Sequence, residues 1–154
     1  MFSWEQGAET VINQSLGIES NESVLLLDDG NDQELVNALL NKLDNTLDGS
    51  EKLDYIQIPK LSSHGQELSK EVAEAMRSND VFIAPTSKSI THTTARSKAT
   101  SAGARGVTMG AINREIWRTG LTADYEEVRR ITEKAYSELK DAELVVTLKG
   151  DGQR

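Results

Sequence analysis

The sequence contains no cysteine, which excludes disulfides, thiolate metal sites and a cysteine nucleophile. It has only two histidines, His64 and His92, and no HExxH or similar pair, so the familiar helix-borne zinc signature is missing. Neither common glycine-rich phosphate loop occurs, which disfavours a nucleotide. No apolar run approaches the roughly 18 residues of a membrane-spanning helix. The opening MFSWEQGAETVINQ lacks the basic start and apolar stretch of a secretory signal, so the expected compartment is the cytoplasm and no membrane partner is expected. A formal net charge of −8 argues against nucleic acid as a partner, because counterion release needs a basic face.

One further absence is local. The chain carries 25 Asp and Glu residues, yet none falls between Val81 and Arg114. That window holds Lys88, Arg96, Lys98, Arg105 and Arg114 and ten hydroxyls, among them Thr86, Ser87, Ser89, Thr91, Thr93 and Thr108. It is a basic, hydroxylated island in an acidic chain.

The remainder alternates helical and strand patterns. At 154 residues the chain is long enough to bury about two thirds of its unfolded surface. Ser3 and Gln6 have capping-box spacing ahead of an amphipathic pattern that Gly17 stops. Ser23 to Asp28 is a continuous apolar run ending in Asp-Asp-Gly, as expected for a strand buried on both faces. A second box, Asn31 with Glu34, precedes a stripe from Leu35 to Leu43. Tyr55 to Ile58 reads as a strand closed by Pro59, and Ser63 with Gln66 caps a helix lined by Leu68, Val72, Ala75 and Met76. Val81 to Ala84 reads as a third strand closed by Pro85, Val107 to Met109 as a weak fourth, and Ile112 to Arg118 as a short helix. Thr122 or Asp124 caps a final helix, with Glu127 completing a box with Asp124, and its surface pairs are Glu126 with Arg130 and Lys134 with Glu138. Glu143 to Leu148 gives a fifth strand. The expected fold is a three-layer, Rossmann-like α/β domain over 1–149 with a mostly parallel sheet of about five strands and helices on both faces, followed by a polar tail, 150–154. A buried strand running directly into that glycine-rich tail looks like a point where a longer chain continues.

In a parallel α/β sheet, ligands sit beyond the carboxyl ends of the strands. Thr86 to Ile90 is such a loop, leading into a helix expected from about Thr91 to Ala102 with Gly103 at its C-cap. Its first turn offers free N–H groups to a carboxylate or phosphate, so Ser87, Lys88, Ser89, Thr91, His92, Thr93 and Arg96 are the candidate anion- or substrate-binding residues. The same residues also suit simple capping and intramolecular pairing, because Ser and Thr are favoured N-caps. His92 has no identifiable triad partner, and His64 sits in a polar loop. Asp28 and Asp29 are the best-placed carboxylates for a cation or a ligand hydroxyl, or they simply make an Asp-Asp-Gly turn. No catalytic residue and no metal ligand is assigned.

The run VFIAPTSKSITHTTARSKATSAGARGVTM and the downstream RTGLTADYEEVRRITEKAYSEL resemble the N-terminal domain of the thermophilic metalloaminopeptidase family, of the aminopeptidase T or leucyl aminopeptidase type. The most specific pieces are Ser89-Ile90-Thr91-His92-Thr93, Ala95-Arg96, Ala99, Gly103-Ala104-Arg105 and Thr122-Ala123-Asp124-Tyr125. The resemblance implies a cytoplasmic, homodimeric peptidase that releases N-terminal residues from peptide substrates with a pair of divalent metals, Zn, Co or Mn. It also implies that the metal ligands belong to a catalytic C-terminal domain absent from these 154 residues, so that this chain alone holds no cofactor and is catalytically incompetent. Gly110-Ala111 departs from the family, which more often has Pro-Gly after the fourth strand. The same stretch resembles the N-terminal domain of ring-cleaving dihydroxypyridine dioxygenases, which use a mononuclear iron. A free-standing module binding a small anion at Ser87 to Thr93 is the reading from outside these families.

Overall fold

The computed structural model describes residues 3–121 and 123–146. The chain forms two compact units, 1–122 and 123–154. In the first, the order is α1 (Trp4–Glu9), a π-helical continuation (Thr10–Ser15), β1 (Val24–Asp28), α2 (Gln33–Asp44), β2 (Leu53–Gln57), α3 (Lys70–Ser78), β3 (Val81–Ala84), α4 (Thr94–Ser101), β4 (Arg105–Thr108) and α5 (Arg114–Gly120). All strand pairs are parallel and the sheet order is β2-β1-β3-β4.

The central strands are the ones most legible as sequence. β1 and β3 are buried at every position, whereas β2 and β4 form the edges and are half-exposed. Alternation along β1 and β3 then divides the core in two. Val24, Leu26, Val81 and Ile83 face one layer with Val11, Ile12, Leu35, Leu39 and Trp117. Leu25, Leu27, Phe82 and Ala84 face the other with Val72, Met76, Ile90, Ala95 and Ala99. This is the three-layer α/β arrangement, with α1, α2 and α5 on one face and α3 and α4 on the other.

Several boundaries differ from the sequence reading, each for a local reason. Asp32, not Asn31, caps α2, accepting from the amides of Glu34 and Leu35. Ser69, not Ser63, caps α3. α4 begins three residues late because Thr93 is its N-cap, its hydroxyl accepting from the Arg96 amide at 3.2 Å. The opening helix does not stay α-helical to Gly17: the Leu16 amide bonds back five residues to the Val11 carbonyl, and Gly17 at φ 55° closes the segment. β4 runs from Arg105 to Thr108, so it starts two residues before the expected Val107, includes Gly106 and stops short of Met109.

β1 and β3 are held together at both ends by aspartate and serine. At their N-terminal ends, Asp80 accepts from the Ser23 amide (2.9 Å) and hydroxyl (2.7 Å), and the Asp80 amide donates back to the Ser23 hydroxyl. At their C-terminal ends the roles reverse, with Asp29 following β1 and Ser87 following β3.

The second unit contains α6 (Tyr125–Leu139), capped by Asp124 through the Glu127 amide. Among the described residues its ion pairs are Arg129 with Glu126 and Arg130 with Glu127, three residues apart, and a longer Arg129–Glu133 approach; the expected Glu126–Arg130 and Lys134–Glu138 pairs are not among them. Glu143–Val146 carries no strand pairing, and the rest of the expected fifth strand, Thr147 and Leu148, lies outside the described residues. The described sheet therefore has four strands, not about five. Among the described residues no helix is long and apolar enough to cross a membrane.

Candidate functional site

The chain leaves β1 toward β2 on one side and β3 toward β4 on the other. The carboxyl ends of β1 and β3 thus form the topological switch point, where open α/β sheets place their ligands. Here the two loops that meet are Asp28-Asp29-Gly30 and Thr86-Ser87-Lys88-Ser89. They are bonded to one another. Asp29 Oδ1 accepts from the Ser87 amide at 2.8 Å, and Asp29 Oδ2 accepts from the Ser87 hydroxyl and from the Leu61 amide. Asp28 accepts from the Gly30 amide at 2.7 Å and from the Tyr55 hydroxyl at 3.0 Å. Both carboxylates are buried, and three donors to Asp29 offset much of the desolvation cost of that burial. Burial, and then the bond to Asp28, push the Tyr55 phenol above its ordinary value, so it remains a donor.

The island is similarly occupied with itself. Thr86, fully buried, donates to the Lys88 carbonyl at 2.7 Å. The Ser89 hydroxyl donates to Thr91 Oγ1 at 2.9 Å, and Thr91 Oγ1 lies 2.7 Å from Thr108 Oγ1 on β4. Thr93 is buried, donating to the Ile90 carbonyl at 2.8 Å. His64 Nδ1 accepts from the Ser89 amide at 3.0 Å, and the Gly65 amide donates to the Ser89 carbonyl, so the His64 loop is tied to the island. At the start of α4 a carboxylate already takes the position proposed for an anion: Glu67 Oε1 accepts from the Thr94 amide at 2.7 Å. That bond, foremost, holds the Glu67 carboxyl below its ordinary value, with Lys98 adding a smaller effect.

Of the seven candidate residues, Ser87, Ser89, Thr91 and Thr93 are joined into this internal network. His92 is exposed, and Lys88 is half-buried without an ion pair among the described residues. Arg96 donates its Nε to the Thr91 carbonyl at 2.8 Å and meets no carboxylate among the described residues. Arg105 and Arg114 reach acids from far upstream: Arg105 pairs with Glu22 and also donates to the Leu16 and Gly17 carbonyls, and Arg114 pairs with Glu34. Glu67 escaped the sequence reading because its partner lies 27 residues downstream, and no local spacing rule reaches that far.

Among the described residues no three His, Asp or Glu side chains converge, and Asp28 and Asp29 are already engaged by protein donors.

No protein-family model, curated protein or solved structure matches this chain. The geometry therefore stands by itself: a parallel sheet whose switch point is bridged by Asp29 and Ser87, with a helix start capped by Thr93 and Glu67.

Proposed function

We propose that this chain is the N-terminal α/β domain of a metal-dependent aminopeptidase of the aminopeptidase T type, a non-catalytic domain of a cytoplasmic, homodimeric peptide hydrolase. The observation that carries this reading is what the Ser89–Arg96 run does. Its hydroxyls join the loop after β3 to β4 through Thr91 and Thr108 and cap α4 through Thr93. A run used in this way supports a scaffolding role for the residues that bear the family resemblance, with the chemistry supplied by other residues. In this reading the divalent metal pair and its ligands belong to a C-terminal catalytic domain, and 143–148 becomes a strand in the longer protein.

The test is to express residues 1–154 alone and together with the coding sequence that follows codon 154, and to assay both with leucyl p-nitroanilide and Co²⁺ or Zn²⁺. The longer product is expected to show metal-dependent turnover and the shorter none. Turnover by 1–154 alone overturns the non-catalytic assignment, and a stop immediately after codon 154 overturns the domain assignment. Iron-dependent ring cleavage by the longer product in place of peptide hydrolysis transfers the same domain to the dioxygenase reading.

A further inference from the structure

Among the described residues β4 is an edge strand, and its outward backbone groups can be identified. The amides of Arg105 and Met109 donate inward, to the Asp80 and Ala84 carbonyls beside and within β3. Backbone direction alternates along a strand, so the N–H and C=O groups of Gly106 and Thr108 point away from β3. Proteins commonly blunt such an edge with lysine, proline, a bulge or an inward charge. β4, Arg-Gly-Val-Thr, has no proline and no lysine, and its one charge, on Arg105, is directed to Glu22. Gly106, at the middle of this edge, is exposed.

Beside the edge runs a groove of about 560 Å³ whose lining includes Phe82, Thr91, Arg96, Arg105, Gly106 and Thr108. Its charge is one-sided. Both charged residues lining it are arginines, and the whole window from Val81 to Arg114 has no carboxylate. Arg105 is neutralised by Glu22, whereas Arg96 has only its Nε engaged among the described residues, on the Thr91 carbonyl. Thr91 in turn contacts Thr108 at the carboxyl end of β4. Arg96 therefore offers its remaining guanidinium N–H groups at that end of the groove.

We propose that the outer edge of β4 and the Arg96 groove form a strand-addition site for the carboxylate-terminated end of an extended peptide. A peptide laid parallel to β4 exchanges hydrogen bonds with Gly106 and Thr108 and brings its terminal carboxylate to the end where Arg96 stands. Main-chain bonding provides attachment, and the arginine–carboxylate contact fixes direction and register. The inference does not depend on the peptidase reading, since it uses only the edge and its charge.

The experiment titrates the ¹⁵N-labelled 154-residue chain with acetyl-Val-Thr-Val-Thr bearing a free carboxylate, following backbone amides by NMR. Saturable shifts are expected at Gly106 and Thr108. The C-terminally amidated peptide on the unaltered protein, and the free acid on Arg96→Gln, should each bind about tenfold more weakly, as expected for loss of a charge-assisted hydrogen bond. N-methylation at one alternate set of peptide amides should abolish binding, and at the other set leave it nearly unchanged. Absence of saturation at millimolar peptide overturns the proposal, as does equal sensitivity to both methylation sets. Concentration-dependent shifts of Gly106 and Thr108 without peptide also overturn it, by giving the edge to a second copy of the chain.

Discussion

Asp29 receives both the amide and the hydroxyl of Ser87, a residue 58 positions away, and so fastens the carboxyl end of β1 to that of β3. Ser23 and Asp80 fasten the opposite ends, but Asp80 is exposed while Asp29 is only 3% exposed. The two pairs should therefore differ in strength. Asp29→Ala leaves two amides and a hydroxyl in a buried site without their acceptor, and is expected to cost about 2–4 kcal/mol. Asp80→Ala should cost about 1 kcal/mol, because water replaces the lost bonds. Urea unfolding of the two variants measures the difference; equal losses contradict the assignment of Asp29 as the stronger fastening.

Gly7 lies directly under the indole of Trp117, so that a Cβ there would overlap the ring. Trp117 is fully buried and its Nε1 has no hydrogen-bond partner among the described residues. Gly7→Ala is expected to destabilise by about 1–3 kcal/mol through overpacking. Combining it with Trp117→Leu should cost clearly less than the sum of the two single changes, because the second change vacates the space the first one needs. Thermal unfolding of the two single variants and the double variant gives the coupling; strict additivity would remove this packing explanation.

Ala111 sits at φ 60°, a conformation in which its Cβ crowds the backbone. Ala111→Gly should raise stability by about 1 kcal/mol, the relief of that crowding exceeding the added freedom of the unfolded chain. Chemical denaturation that shows no gain or a loss at this position would contradict the account. Gly110, its neighbour, approaches the backbone of Ser89 so closely that Gly110→Ala should destabilise instead.

Glu22 is held below its ordinary carboxyl value of 4.5, first by its hydrogen bonds with Arg105 and against the opposing effect of burial. A carboxyl group whose folded value is depressed binds protons more weakly in the folded state than in the unfolded one. Its stabilising contribution is complete above about pH 4.5 and fades as the pH falls through the lower, folded value. Glu22→Gln should thus cost about 1 kcal/mol at neutral pH, given the partial exposure of the pair, and the gap to the parent should close in acid. A gap that persists unchanged to pH 2 would show that the loss comes from packing and not from ionisation.

The parts of the fold that were legible in the sequence are those where one local pattern decides the outcome. The continuous run of β1 announced burial on both faces, the apolar run of β3 announced a strand, and the apolar stripe of α2 announced an amphipathic helix. The caps were harder to place: Asn31 and Asp32 both carry suitable side chains, and the choice of Asp32 follows from which of them has extended backbone geometry next to Gln33. What the candidate residues contact was not legible. Whether Ser87 faces a ligand or Asp29, and whether the α4 amides face an anion or Glu67, depends on contacts spanning 58 and 27 residues. The Gly110-Ala111 step was visible as a departure from the resembled family; that it places alanine in left-handed geometry required the backbone.

The acid-free window has a consequence for how the protein is made. Among the described residues, the carboxylates that bond to it, from Glu22, Asp29, Glu34 and Glu67, all precede it in the chain. During N-to-C synthesis the basic, hydroxyl-rich segment therefore emerges after its counter-groups, and can fold onto an acidic surface already present instead of waiting for one. A circular permutant that opens at Val81 reverses this order and presents the segment to solvent with none of those carboxylates yet synthesised.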